Sequence, residues 1–239
     1  MPKIIVPIVG ESDEALLEEI EQVKKLSPDM IEWRADKYTD IKDIGVVRNM
    51  LRQLENRLAG IPLLFTFRTI SEGGDTEIDE KKYFYLIQAV IESKNIDLVD
   101  VEYTFTEEKR NILVKKAKEY GVFVVMSRHH FQSTPSEETI ISTMSSMIVT
   151  GADIPKIAVM PKTIEDVFIL LKATNALKMK YSQQPMITMA MGKYGLISRI
   201  AGEVFGSDAT FGAGMAASAP GQIAVSELRA VLKIIHYNS

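Results

Sequence analysis

The chain contains no cysteine. That excludes disulfides, thiolate catalysis and cysteine metal ligands, and it fits a reducing compartment such as the cytoplasm. Histidine is scarce as well. Its three copies, with no carboxylate at ligand spacing, make a poor metal site. Long apolar runs are missing: no stretch has the length needed to span a bilayer. The opening residues 1–9 are too short for the core of a signal peptide. Positive charge is not in excess, since the net charge is −4, so no footprint for nucleic acid is expected. There is also no low-complexity segment, no linker and no internal repeat beyond the alternation described next.

What is present is an ordinary globular composition, 25% charged and 46% apolar. Its 239 residues suffice for one large domain or two small ones, and for a sizeable core. Hydrophobic patterning predicts strands at residues 3–9, 30–36, 62–68, 98–103, 122–127, 152–161, 185–191 and 208–212. Helical patterns fill the gaps, with Ser12 a candidate N-cap and Gly121 a candidate C-terminal stop. The last helix is expected over 222–235. Such alternation calls for a parallel sheet. Eight units in this length predict an α/β fold, a single (β/α)8 TIM barrel spanning 1–239, with its active site at the C-terminal ends of the strands. A doubly wound sheet would want a glycine-rich phosphate loop after the first strand. That turn has only Gly10.

Polar residues gather where a barrel would need them. Glu32, Arg34 and Asp36 fall at period two on the second strand, so they share a face, opposite Ile31, Trp33 and Ala35. Arg68 ends the third strand, His129 and His130 follow the fifth, and Arg199 follows the seventh. The sixth strand carries one lysine, Lys156, among apolar residues. Burial pushes a lysine toward its neutral form, and a neutral amine on a rigid strand suits imine formation with a carbonyl compound. Plainer readings stay open for each. Lys156 near a strand start can snorkel to solvent; Glu32 with Arg34, and Arg68 with neighbouring carboxylates, can be structural pairs; either histidine can be an ordinary surface residue.

Taken together and in order, five motifs make the chain resemble the type I 3-dehydroquinate dehydratases over nearly its full length. They are Glu32-Trp33-Arg34-x-Asp36, Phe65-Thr66-Phe67-Arg68 followed by Glu72-Gly73-Gly74, Ser127-x-His129, the run from Asp153 to Pro161 around Lys156, and Ser218-Ala219-Pro220-Gly221-Gln222. The resemblance implies dehydration of 3-dehydroquinate to 3-dehydroshikimate in the shikimate pathway, without metal or organic cofactor. It implies Lys156 as Schiff-base lysine, His129 as general base and acid, and Glu72 as the carboxylate that orients His129. It implies Glu32, Arg34, Arg68, Arg199, Ser218 and Gln222 as substrate-binding residues, Arg199 on the carboxylate. Members are often homodimers. The family usually has an aromatic or amide residue before the histidine and an acidic or amide residue after it. This chain has Arg128 and His130 there. The spacing to Lys156 selects His129 as the base. Two other readings differ in class: a Schiff-base aldolase, which would want a phosphate site after strands seven and eight, and a non-catalytic small-molecule binder.

Overall fold

The computed structural model describes residues 1–215 and 222–238. Its elements run β1 (Lys3–Ile8), α1 (Asp13–Lys24), β2 (Met30–Arg34), α2 (Ile44–Leu58), β3 (Leu63–Thr66), α3 (Glu80–Ser93), β4 (Leu98–Glu102) and α4 (Glu107–Tyr120). They continue with β5 (Phe123–His130), α5 (Glu137–Thr150), β6 (Ile154–Val159), α6 (Ile164–Lys180), β7 (Ile187–Ala190), the short α7 (Leu196–Ile200) and α8 (Gly202–Phe205), β8 (Ala209–Ala213), β9 (Ile223–Ala224) and α9 (Val225–Asn238). Ser12, Asp43, Asp79 and Ser136 accept backbone N–H groups at the starts of α1, α2, α3 and α5, satisfying donors that have no partner inside the helix. Gly121 ends α4 in the left-handed conformation, as its position predicts.

All strand pairs are parallel, in the order β7-β6-β5-β4-β3-β2-β1-β8-β9. The fold is the expected (β/α)8 barrel. Its closure is uneven. Among the described residues β7 and β8 share no strand ladder. The seam is held instead by the Asp208 N–H donating to the Met186 carbonyl (2.8 Å) and the Met186 N–H donating to the Asp208 carboxylate (2.9 Å). Ser207 Oγ accepts from the Thr188 N–H at 3.1 Å, and Lys178 pairs with Asp208 at 3.0 Å. Asp208→Ala strips a buried backbone donor of its acceptor, which costs about 1–3 kcal/mol. Its melting temperature is expected to fall by several degrees in a thermal scan, with the strand content of the folded state unchanged.

The core has two parts. Between sheet and helices lies the larger, where Trp33 packs edge-on against Tyr38 (5.6 Å) and Phe65 (5.5 Å). Ile31, Trp33 and Ala35 belong to it, as their alternation predicts. Inside the barrel, Leu64, Leu98 and Val125 pack with Met30 and Ile154 as an apolar plug. The next inward residues along the same strands, two positions further on, include Glu32, Asp100, Ser127 and Lys156. The charged layer thus stands directly on the plug.

Among the boundaries that depart from expectation are the end of β2 and the start of the last helix. Asp36 leaves the strand and lies in a 3-10 turn over Ala35–Lys37. Its carboxylate accepts from the Arg34 guanidinium at 2.9 Å twice and from the Arg68 N–H at 3.3 Å, bonds that bend the chain out of the sheet. The last helix starts at Val225 because Ile223 and Ala224 first pair with Gly212 and Ala213.

Candidate active site

Lys156 is 4% exposed and faces the barrel interior. Its Nζ lies 3.7 Å from Glu32 Oε1 and 4.4 Å over the centre of the Phe211 ring. Snorkelling to solvent is thereby ruled out. Burial is the main influence on the amine, and it lowers the pKa from the ordinary lysine value. Glu32 and Asp100 oppose that shift, while Arg68 and Arg34 add to it. Glu32 itself is fixed by the Thr66 hydroxyl, which donates to it at 2.9 Å.

His129 sits on β5, which stays in register with β6 well past the predicted end at 127: Ser127 pairs with Lys156 and His129 with Ala158. The imidazole is therefore one inward layer, about 7 Å, further toward the mouth. Its Nδ1 is 3.0 Å from Glu72 Oε2, the oxygen that also accepts the His129 backbone N–H at 2.6 Å. Facing a carboxylate, Nδ1 carries the proton and Nε2 is left as the basic nitrogen. Burial holds the imidazole well below its ordinary pKa, helped by the cations Arg68, Lys156, Arg34 and Arg128. His129 lines the cavity beside Lys156; His130 does not.

Glu72 is placed by its own loop. It ends a 3-10 turn over Ile70–Glu72, after which Gly73 takes φ +84°. A Cβ at Gly73 would collide with the Phe131 ring at 2.3 Å, and one at Gly74 with the Arg68 carbonyl at 1.8 Å. Glycine at both positions lets the loop fold back on β3 and slide under Phe131, which in turn stacks on the His129 ring at 6.1 Å. The Glu72 side chain is fully buried. Burial pushes its pKa up to about 7; Arg68 pulls the other way, Glu102 adds to the rise and Arg128 opposes it. Arg128 Nη1 donates to Glu72 Oε1 at 2.5 Å.

Arg68 anchors the charged layer. Its guanidinium donates to Asp100 (2.9 Å), Glu102 (3.0 Å) and Ser127 Oγ (2.9 Å). Burial works against this cation, yet the two carboxylates raise its pKa overall. The plainer reading of Arg68 as a partner for neighbouring carboxylates therefore holds, and the residue also lines the cavity. Arg34 pairs with Asp36 and not with Glu32, so the alternative Glu32–Arg34 ion pair does not form. Arg199, on α7 and 1% exposed, has its pKa drawn down to about 10 by burial and stays cationic at neutral pH. Gln222 borders the same space. Ser218 lies outside the described residues.

The result is one cavity of about 180 Å³ that gathers Glu32, Arg34, Arg68, Glu72, His129, Lys156, Arg199 and Gln222. Among the described residues no cluster of His, Cys, Asp and Glu is suited to hold a metal ion, and no helix is long and apolar enough to cross a membrane. Sequence reasoning passed over Phe211, Met189, Met191 and Phe131, which form the apolar walls. Inward alternation on β7 and β8 was the signal that would have found the first three.

A sequence profile of the type I 3-dehydroquinases matches residues 4–239. The 3-dehydroquinate dehydratase of Bacillus velezensis is 53% identical over 236 residues, covering 99% of this chain and 93% of that protein. The one from Bacillus subtilis is 48% identical over 239 residues, covering 100% and 94%. The crystal structure of 3-dehydroquinate dehydratase from Geobacillus kaustophilus superposes with a TM-score of 0.97 at 42% identity, covering 100% of this chain and 93% of that one. The type I enzyme from Clostridium difficile, solved with covalently modified comenic acid, gives 0.96 at 42% identity over the same shares. A 3-hexulose-6-phosphate synthase, at 17% identity and a TM-score of 0.64 over 96% of this chain and 99% of its own, shares the fold alone. With a profile match from residue 4 to the C-terminus and relatives near half identity over the whole length, the chain belongs to the type I 3-dehydroquinase family.

Proposed function

We propose that this chain removes water from 3-dehydroquinate to give 3-dehydroshikimate, through an imine on Lys156 with His129 moving the protons. One observation carries the reading: a buried lysine amine and a carboxylate-held imidazole stand on neighbouring strands and face one cavity. The shikimate pathway, the cytoplasm and a homodimeric state belong to the same proposal and rest on the family likeness.

The proton to be lost lies next to a ketone and is only weakly acidic. The neutral Lys156 amine adds to the ketone carbon, and the adduct loses water to become an iminium. That cation draws the electron pair of the adjacent C–H bond. His129 Nε2 takes the proton, the imidazolium is stabilised by Glu72 behind Nδ1, and an enamine forms. The enamine electrons then expel the hydroxyl on the next carbon, which leaves as water with the proton returned by the imidazolium. Hydrolysis of the conjugated imine releases the enone and restores the amine, so one molecule of water is lost overall. Acid–base help of this kind contributes about 10²–10⁴-fold; the electron sink and the fixed geometry supply the remainder.

Arg199 suits the substrate carboxylate, because a guanidinium binds it through two parallel hydrogen bonds. Glu32, Arg34, Arg68, Gln222 and Ser218 are assigned to the ring hydroxyls and the ketone. No step requires a cofactor. Incubation with 3-dehydroquinate is expected to give a steady rise in enone ultraviolet absorbance. An aldolase would release two carbonyl fragments without that rise, and a simple binder would release nothing; either result overturns the proposal.

A further inference from the structure

We propose that Arg128 is a positioning residue for this reaction: by clamping the second oxygen of Glu72, it keeps that carboxylate turned toward His129. The inference rests on the dehydratase reading above. It concerns a residue to which neither spacing nor family likeness assigns a role.

The geometry divides one carboxylate between consecutive residues of β5. Oε2 accepts both the backbone N–H and Nδ1 of His129, at 2.6 and 3.0 Å. Oε1 accepts Arg128 Nη1 at 2.5 Å. The torsion that spins a carboxylate about its last bond is broad when only one oxygen is held. Holding the other oxygen removes that freedom, and with it the means by which His129 Nδ1 would lose its partner. Arg68 cannot stand in, because its guanidinium is committed to Asp100, Glu102 and Ser127. Among the described residues Arg128 is the cation that hydrogen-bonds Glu72. Its side chain is 31% exposed, so it reaches this carboxylate from the rim and can be replaced without opening the core.

The charged groups around the pair come from several strands. Arg68 after β3, Glu102 on β4, and Arg128 and His129 on β5 act on Glu72. Lys156 on β6 and Arg34 on β2 act on His129 as well. The reaction starts with Glu72 ionised and His129 neutral, so neither group carries the extra proton. Removing a cation makes protonation easier at both sites, and the two effects share a sign. The acid limb of the activity profile is therefore expected to move to higher pH. A neighbouring opposite charge is worth about one to three units, and the partial exposure of Arg128 places it at the low end.

The test compares the unmodified protein with Arg128→Gln and Arg128→Lys, measuring kcat and KM for 3-dehydroquinate across the acid and neutral range. Arg128→Gln is expected to raise the acid limb by about one unit. On the acid side of the limb that is up to about a tenfold loss of kcat, regained in alkali, with KM little changed. Arg128→Lys should return the limb part of the way. A loss independent of pH, or no loss, overturns the clamp. Titration of the His129 ring nitrogens by NMR, which needs no turnover, is expected to show a higher pKa in Arg128→Gln; an unmoved pKa overturns it too. Absence of turnover in the unmodified protein would sink the dehydratase reading and the role with it, while the ring titration still reports on the contact.

Discussion

Lys156→Ala is expected to lose turnover of 3-dehydroquinate by about 10⁵–10⁶-fold, the scale seen when a covalent nucleophile is deleted. That corresponds to about 7–8 kcal/mol of lost transition-state stabilisation. The size follows from position. The amine is buried against Phe211, with its pKa lowered mainly by desolvation, and it faces the cavity shared with His129. Without it the ketone has no route to an iminium, and the adjacent C–H keeps its weak acidity. Borohydride reduction in the presence of substrate should fix ligand mass on the peptide containing Lys156 in the unmodified protein and none in the variant. Glu32 keeps its bond from Thr66 in the variant, so a melting curve close to the unmodified one would separate lost chemistry from lost fold. Full turnover by Lys156→Ala would end the imine mechanism.

The second large effect is a contrast between neighbours. His129→Ala is expected to cost about 10³–10⁴-fold in kcat, the upper part of the range for acid–base catalysis, because on the proposed mechanism one imidazole serves in two proton transfers. His130→Ala should change kcat by about twofold or less, the scale of a substitution away from the site. The structural reason is the alternation of β5. His129 turns into the cavity and is held by Glu72, while His130 is partly buried elsewhere and lines no part of the cavity. Steady-state rates for both variants at neutral pH make the comparison. Equal and mild losses would remove His129 from the mechanism.

Much of the fold and of the site is legible in the sequence, for identifiable reasons. Eight alternations of strand and helix pattern favoured a barrel over a doubly wound sheet, and period-two placement put Glu32 and Arg34 on one face of β2. Where reading faltered, tertiary contacts had overridden local pattern. Residues 128–130 are polar and look like loop, yet β5 continues through them because β6 offers a matching ladder from Ile157 to Val159. Asp36 looks like the third inward residue of a strand, yet Arg34 and the Arg68 backbone hold it in a turn. A two-residue strand such as β9 carries no periodic signal at all. Arg128 was visible only as a departure from the family's usual residue; its partner lies 56 positions earlier in the chain, beyond the reach of spacing arguments.

The uneven closure of the barrel has a consequence for how the site yields and holds. From β2 to β6 the ring is a continuous hydrogen-bonded arc, and it carries the amine, the imidazole and the guanidinium network. The unlaced seam between β7 and β8 adjoins the segment that bears Arg199. On the proposed mechanism, the residue assigned to the substrate carboxylate thus lies beside the one join that, among the described residues, is made by single bonds, while the proposed proton carrier and nucleophile share a ladder that sets the distance between them.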